Sequence, residues 1–141
     1  MTKYYTVYYN INEGEAATNT FVDSTYTILQ TTTKEIPLFA ADTTSSAGTL
    51  VFFNAFVSKI STDSIGNAGI QHNLYIYENE TYVGSISYLH CWQNDSMKFT
   101  ESNMLCNIVQ ASGKFSGSFG LPVYLELNND TGYRKITFQY L

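Results

Sequence analysis

The feature of this sequence that most constrains its fold is a succession of short runs rich in aromatic residues and threonine, separated by polar turns. In the run 82–92, two sets of side chains alternate along the chain, so each set would line one face of a strand. No window repeats apolar residues at helical spacing between helix caps. The pattern predicts an all-β protein, and a barrel is favoured over a sandwich because several runs are apolar or aromatic on both faces.

The runs also indicate where strands and turns lie. Asn79-Glu80 separates two alternating runs and is a candidate for a tight hairpin turn. Residues 12–20 and 41–48 are predicted to be loops, and Pro37 is expected at a sheet edge or a strand end because it cannot donate to a ladder. We find no internal repeat and no domain boundary, so residues 1–141 are predicted to form one domain. The predicted strands are residues 3–11, 21–33, 35–40, 49–60, 70–78, 81–92, 97–100, 104–110, 119–127 and 132–140.

The stretch 108–120 carries three glycines around Phe115 and Phe119. Glycines inside a strand-like segment mark a bulge, a tight bend or a close approach of two backbones. Their spacing is G-x-x-x-G-x-x-G and no helical pattern follows, so the dinucleotide-binding fingerprint is not met. We therefore expect a strongly bent hairpin of an antiparallel sheet here, rather than a phosphate-binding loop.

The charge of the chain argues against several classes of partner. Its net charge is −5, and no window supplies the basic stripe that neutralises phosphates, so nucleic-acid binding is not expected. The N-terminal segment has no continuous apolar core of a signal peptide, and no run approaches the roughly 18 apolar residues of a membrane span. We therefore expect no transmembrane segment. The compartment stays open between a cytoplasmic default and a leader that was removed.

The residues that often carry metal or nucleophilic chemistry form no recognisable motif. His72 and His90 are the histidines of the chain and have no metal-binding spacing, so no metal site is expected. His72 stands at the start of a predicted strand and is expected on its polar face. Cys91 and Cys106 lie on successive predicted strands, where they either pair or remain two buried thiols.

Four amide side chains stand in or beside otherwise apolar strands. Asn10 and Asn12 close the first predicted strand, Asn54 interrupts an aromatic run, and Gln71 follows a glycine-containing segment. An amide inside an aromatic run is costly unless it is hydrogen-bonded, and inside a cavity it can hold a water or orient a polar ligand atom. Asn10 and Asn12 also fit the solvent face of a strand. Asn54 is the strongest candidate for a ligand contact.

Six segments, in order, resemble the barrel of allene oxide cyclases and the related dirigent proteins. The most distinctive is the glycine-punctuated stretch 108–120, and the others carry the same succession of aromatic and amide residues. The resemblance spans nearly the whole chain. The segments are residues 9–13, 50–56, 65–71, 85–90, 108–120 and 135–141.

This resemblance implies an eight-stranded antiparallel barrel, commonly a homotrimer, with an elongated apolar cavity and no cofactor. Cyclases of this kind rearrange an unstable fatty-acid allene oxide, and dirigent proteins steer the coupling of phenoxy radicals. In both, the protein mainly shapes a reactive ligand and excludes water. The implied ligand is a small hydrophobic molecule, derived from a fatty acid or another natural product.

The resemblance also assigns positions. The water-holding asparagines of the cyclases fall on Asn12 and Asn54, which would be the catalytic residues. The cyclase glutamate falls on Asn10 and a cavity cysteine on Gln71, while the dirigent arginine falls on Phe119. These replacements remove the charge that either parent reaction uses, so fold and function have to be argued separately.

Two functions follow as expectations. The first is a barrel that binds a small hydrophobic ligand and, if it is an enzyme, acts as a cofactor-independent cyclase or isomerase. Asn12 and Asn54 would anchor a polar atom, with Asn10 and Gln71 beside them. The alternative is a non-catalytic oligomeric binding or structural protein on the same barrel, and a sugar-binding domain is a third. Strand alternation places five further side chains in the ligand-binding wall: Phe52, Phe56, Tyr75, Tyr88 and Phe115.

Overall fold

The structure is a computed structural model that describes the backbone of most of the chain. The described ranges are residues 2–10, 12–14, 16–22, 27–40, 45–59, 65–93, 104–127 and 131–141. Within them, the side chains of residues 16, 18–22, 27–32, 52–59, 65–70, 90–93, 104 and 127 are not described.

Over the described ranges the chain forms nine antiparallel strands. Threonine, tyrosine and β-branched residues dominate these runs, as expected for strands that pack on one face. The strands are β1 (Lys3–Asn10), β2 (Ala16–Val22), β3 (Thr27–Phe39), β4 (Ser46–Lys59), β5 (Ile65–Glu78), β6 (Thr81–Gln93), β7 (Met104–Gly113), β8 (Pro122–Leu127) and β9 (Tyr133–Tyr140).

The sheet closes into an eight-stranded antiparallel barrel, as the sequence predicts. The strands follow the order β1-β9-β8-β7-β6-β5-β4-β3, and β3 returns to β1 through the pair Tyr8 and Phe39. The remaining strand, β2, pairs with the first half of β3, on the same edge that β1 meets further along. β2 and β1 therefore pair with successive parts of the same edge of β3.

Strands β3 to β6 continue past one end of the closed barrel. The first half of β3 pairs with the second half of β4, which in turn pairs with the first half of β5. Pairing between β6 and β7 covers Gly84 to Tyr88 on the β6 side, while β6 itself runs on to Gln93 beside β5. One end of the barrel is therefore bordered by an extension of the sheet.

Side chains that alternate along the strands fill the described part of the barrel interior. Val7 of β1, Ile36 and Leu38 of β3 and Ile136 and Phe138 of β9 are completely buried. Burial of each such side chain contributes about 1.5–3 kcal/mol, so this core is the main source of stability. The other buried apolar residues are Tyr9, Ala47, Leu50, Leu74, Ile76, Ile86, Tyr88, Cys106, Ile108, Phe115, Val123, Leu125 and Tyr140.

The stretch 108–120 is a strand end followed by a turn-rich loop. β7 runs to Gly113, and residues 114–121 then form consecutive turns before β8. Phe115 enters the barrel from this loop and is completely buried, whereas Phe119 is 76% exposed. The expected hairpin is present, and its connection is a loop that closes one end of the barrel.

Some sequence predictions about local structure are wrong, and one is confirmed. Residues 16–20 belong to β2 and residues 46–48 to β4 rather than to loops, because small and polar residues can pair through the backbone as well as apolar residues do. Residues 119–121 are turn rather than strand. The Asn79-Glu80 hairpin is confirmed: both residues have positive φ, as a tight two-residue turn requires. The predicted strand at residues 97–100 lies outside the described residues.

Pro37 lies near the end of β3, two residues before Phe39, where a sheet edge or a strand end was expected. On one side it pairs in register with Thr49 of β4. On the other side, β3 residues 35–38 fall between the parts that pair with β2 and with β1, so no described strand adjoins them. A residue that lacks an N–H is tolerated in such a local edge.

Candidate functional site

The end of the barrel that borders the sheet extension carries a buried cluster of polar side chains. We call it the polar end and define it by Tyr9, His72, Tyr88, Cys106 and Arg134, each at most 6% exposed. They come from β1, β5, β6, β7 and β9, so closure of the barrel is what brings them to one place.

A hydrogen-bonded pair lies at the centre of the polar end. His72 of β5 and Tyr88 of β6 are cross-strand partners, and Nδ1 of His72 is 2.8 Å from the Tyr88 hydroxyl. The two rings meet edge to face with centroids 5.1 Å apart. Tyr88 is completely buried, so the hydrogen bond is shielded from bulk water and is geometrically constrained. This arrangement can hold or move a proton.

Tyr9 and Arg134 complete the cluster from the other side of the barrel. They are cross-strand partners on β1 and β9. The ring of Tyr9 lies edge to face with the imidazole of His72, with centroids 6.3 Å apart. The guanidinium of Arg134 donates to the carbonyl oxygen of Tyr133 at 3.3 Å. The positively charged guanidinium of Arg134 therefore belongs to the buried polar end of the barrel.

The environment keeps both tyrosines protonated. Burial, with contributions from Tyr9 and Cys106, raises the pKa of Tyr88 well above its ordinary value. Burial raises the pKa of Tyr9 to about 12, against the opposing positive charge of Arg134. Burial also raises the pKa of the Cys106 thiol, which is free of any disulfide. At neutral pH the polar end thus presents neutral hydroxyl donors rather than anions.

The opposite end, which we call the aromatic end, is closed by Tyr5, Phe115, Phe138 and Tyr140. The ring of Phe115 meets those of Tyr5, Phe138 and Tyr140 edge to face at 5.3, 5.1 and 5.2 Å. Such aromatic pairs contribute about 0.5–1.5 kcal/mol each beyond their burial. This end is therefore a packed plug with no buried acid–base pair among its described residues.

An ion pair braces the loop that carries this plug. Glu78 Oε1 accepts hydrogen bonds from the Tyr5 hydroxyl at 3.0 Å and from Lys114 Nζ at 2.7 Å. The Lys114 ammonium also lies over the rings of Tyr5 and Tyr140, 5.4 and 6.0 Å from their centroids. Hydrogen bonds from Lys114 and Tyr5 lower the pKa of Glu78. Strands β1, β5 and the loop after β7 are thereby joined at one point.

Two of the sequence-predicted amides lie at the rim near Tyr9 and Arg134. Asn10 Oδ1 accepts a hydrogen bond from the backbone N–H of Asn12 at 2.9 Å, and Asn10 Nδ2 donates to the Thr131 carbonyl at 3.4 Å. Asn12 itself is exposed. Asn10 therefore joins the turn after β1 to the turn before β9, as asparagine commonly does at turns.

Other predicted residues lie apart from the polar end or outside the described side chains. Gln71 and Tyr75 alternate along β5 with the buried residues His72 and Leu74, so both lie on the outer face. Gln71 Nε2 donates to Asn73 Oδ1 at 2.9 Å, and Tyr75 is exposed. Tyr88 and Phe115 are both interior but belong to opposite ends. The side chains of three candidates are not among those described, although their backbones lie in β4: Phe52, Asn54 and Phe56.

Of the five residues of the polar end, sequence reasoning placed only Tyr88 in a site, and one prediction about the other four is wrong. His72 was expected on a polar strand face, yet it is buried inside the barrel. The reason is that β5 begins at Ile65, and His72 alternates with Leu74 and Ile76 on the inner face. Arg134 likewise alternates with Ile136. The period-two pattern with buried neighbours is the signal that could have placed both.

No protein family and no curated protein matches this chain. Among the described residues, no helix is long and apolar enough to cross a membrane. Nor do three His, Cys, Asp or Glu side chains in those ranges come together in a way that could hold a metal ion. The geometry of the barrel is therefore what points to a function.

Proposed function

We propose that this barrel binds a small hydrophobic molecule at its polar end and directs its isomerisation or cyclisation. The observation that carries the proposal is the buried hydrogen bond between His72 and Tyr88, with Tyr9 and Arg134 beside it. An apolar wall with a few convergent polar groups is the usual composition of a small-molecule site. Perturbed tyrosine pKa values at the same place add to this support.

The barrel supports a site at one end rather than along its axis. Apolar side chains pack the described interior between the two ends, and Phe115 plugs the aromatic end. The polar end, by contrast, adjoins the continuing halves of β3 to β6. Eight-stranded barrels of other proteins hold one small ligand in their mouths. The ligand would therefore lie between the polar end and the sheet extension.

We further propose that the fold is of the allene oxide cyclase and dirigent class. The closed eight-stranded antiparallel barrel supports this, as does the glycine-punctuated stretch that forms the end of β7 and its loop. The resemblance assigns the charged residues of the parent enzymes to Asn10 and Phe119, which carry no charge, so Tyr88 would instead be the donor to the ligand. Asn12, with Asn10, would border the entrance from the rim.

Binding calorimetry with 2-naphthol, a small hydrophobic molecule with one polar atom, tests the proposal. We expect saturable binding that Tyr88→Phe weakens about three- to tenfold, because a neutral hydrogen bond contributes about 0.5–1.5 kcal/mol. Tyr124→Phe is the matched control, since Tyr124 is an exposed tyrosine on the outer face of β8. Absence of saturable binding to the wild-type protein would remove the proposed function.

A second candidate is a non-catalytic oligomer, and a specific observation favours it. Leu105 of β7 is 65% exposed and pairs in register with Tyr124 of β8, which is also exposed. Neighbouring exposed apolar residues are typical of contacts between subunits. Sedimentation velocity distinguishes the two functions: the alternative predicts an oligomer, such as a trimer, that Leu105→Ser dissociates. A monomer across the concentration range would exclude it.

A further inference from the structure

We propose that the outer face of β5 binds a neutral, extended saccharide chain, at a site separate from the polar end. The inference does not depend on the proposed function, because every side chain that it uses lies on the outside of the barrel. It is carried by the order of side chains along one strand, where two amides are followed by two tyrosine rings. These outward residues of β5 are Gln71, Asn73, Tyr75 and Tyr77.

Two exposed tyrosine rings lie at one end of this row. Tyr75 is 41% exposed and Tyr77 is 39% exposed, and the buried Ile76 between them shows that both lie on the outer face. The ring of Tyr77 meets that of Tyr82 on β6 edge to face, with centroids 5.6 Å apart. An exposed tyrosine ring offers an apolar surface on which the C–H groups of a sugar ring can pack, while its hydroxyl stays in water.

The amide of Asn73 is held in one orientation. Its Oδ1 accepts hydrogen bonds from Gln71 Nε2 at 2.9 Å and from Ser87 Oγ at 2.6 Å. Ser87 is 7% exposed, so its hydrogen bond is shielded from water and constrains the amide. In the described part of the chain, the Asn73 amino group and the Gln71 carbonyl oxygen have no hydrogen-bond partner. A donor and an acceptor therefore lie side by side, and a sugar hydroxyl, which both donates and accepts, matches such a pair.

Serine hydroxyls continue the polar surface beside Tyr75. Ser85 of β6 pairs in register with Tyr75, and Ser112 of β7 pairs in register with Ser85. The two serine oxygens are 2.6 Å apart. Adjacent strands lie about 4.8 Å apart, so these hydroxyls are within one or two strand widths of the tyrosine. A sugar that packs on Tyr75 therefore has neutral donors and acceptors at its edge.

Charge and shape narrow the ligand to a neutral, extended chain. The outward side chains from Gln71 to Tyr77 are uncharged, and the adjoining Glu78 and Lys114 are bound to each other at 2.7 Å. Glu35, two strands away on β3, and the net charge of −5 both disfavour an anion. The row spans about 20 Å at the usual rise of a strand, which suits several linked sugars rather than one.

Binding calorimetry with three neutral, linear probes tests this inference: cellohexaose, β-1,4-mannohexaose and xylohexaose. We expect saturable binding of at least one of them, unchanged by about 0.5 M salt because no ion pair takes part. Tyr75→Ala should weaken that binding about two- to tenfold, the effect of losing one aromatic contact. Tyr75→Phe keeps the ring and should retain the binding. Asn73→Ala should weaken it about two- to tenfold, the effect of losing a neutral hydrogen bond.

The matched control is Tyr124→Ala. Tyr124 is a tyrosine of nearly equal exposure, 40%, on the outer face of β8. Its in-register neighbours are Leu105 and Thr137, neither of which is an amide. This substitution should leave the affinity for the saccharide unchanged.

Each result decides one question. The inference is overturned if none of the three saccharides binds, or if Tyr75→Ala and Tyr124→Ala have equal effects on binding. Tighter binding of hexagalacturonate, a linear saccharide with carboxylates, would also overturn it. Saturation with 2-naphthol should not change the affinity for the saccharide, and competition between the two would contradict separate sites. If the saccharide binds and 2-naphthol does not, this inference stands and the proposed function falls; the opposite result reverses both.

Discussion

Gly84 of β6 and Gly113 of β7 are cross-strand partners whose backbones lie too close for a side chain at either position. A Cβ on Gly84 would overlap the carbonyl oxygen of Ser112 and press on the ring of Phe115. The next backbone amide, that of Lys114, donates to the Val83 carbonyl at 2.8 Å. This close approach is what lets the loop after β7 turn inward and place Phe115 inside the barrel.

Gly84→Ala should therefore be strongly destabilising although its backbone is ordinary strand. We expect a loss of about 3 kcal/mol in the free energy of unfolding by urea, the upper range for overpacking, because a backbone carbonyl cannot rotate away. Gly120→Ala is the control: Gly120 has a φ of +84° but open space around it, so backbone strain alone should cost about 1 kcal/mol. Equal losses for the two variants would contradict this account of the close approach.

The two phenylalanines of the loop should differ widely in their contribution to stability. Phe115→Ala removes a completely buried ring and leaves a cavity among Tyr5, Phe138 and Tyr140. We expect it to lower the free energy of unfolding by about 3–5 kcal/mol. Phe119→Ala, in the same loop but 76% exposed, should change it by about 0.5 kcal/mol or less. If the two variants lower the free energy of unfolding by small and similar amounts, the loop only covers the barrel and Phe115 does not support its core.

Glu78 should make the aromatic end sensitive to acid. Because hydrogen bonds from Lys114 and Tyr5 lower its pKa in the folded state, its contribution is present above the ordinary glutamate pKa of about 4.3 and is lost as the pH falls through the lowered value. Glu78→Gln should therefore destabilise the protein at pH 7, by at most about 1 kcal/mol since the pair is partly exposed. The difference from wild type should shrink as the solution is acidified.

The control for that experiment is Glu126→Gln. Glu126 pairs with Lys135 at 3.4 Å on the outer surface, and its side chain is more exposed than that of Glu78. We expect a smaller loss of stability at pH 7. If the two variants behave alike across the pH range, Glu78 does not brace the loop as described.

The hydrogen bond between His72 and Tyr88 should appear as an energetic coupling. In a double-mutant cycle of His72→Phe and Tyr88→Phe, we expect a coupling of about 1 kcal/mol in the free energy of unfolding. The cycle with Tyr124→Phe in place of Tyr88→Phe should give a coupling near zero, since Tyr124 lies on the outer face. No measurable coupling between His72 and Tyr88 would mean that the pair does not form in solution.

The sequence predicts the class of fold because period-two alternation survives in most strands. β9 is an example, with Arg134, Ile136, Phe138 and Tyr140 buried in turn. The first predicted strand and the Asn79-Glu80 turn also coincide with the structure. The first five residues of β2, Ala-Ala-Thr-Asn-Thr, were missed because they carry no large apolar side chain and are held through backbone pairing with β3.

The polar end could not be predicted for a different reason. Tyr9, His72 and Arg134 are far apart in the chain, and no local pattern shows which strand ends meet when a sheet closes. Closure depends on the pairing of β1 with both β3 and β9, a long-range property. Residue type alone favoured amides as site residues. In the structure, Asn10 donates to the carbonyl of Thr131 and Gln71 donates to the side chain of Asn73. The buried histidine and arginine were the more informative residues.

The most direct test of the central claim is to map where a hydrophobic molecule binds. Titration of the isotope-labelled protein with 2-naphthol, followed by amide chemical shifts, distinguishes the two ends of the barrel. We predict saturable shifts that are largest at Tyr9, His72, Tyr88 and Arg134 and small at Phe115 and Tyr140. Shifts that are largest at the aromatic end or around Leu105, or that do not saturate, would contradict a binding site at the polar end.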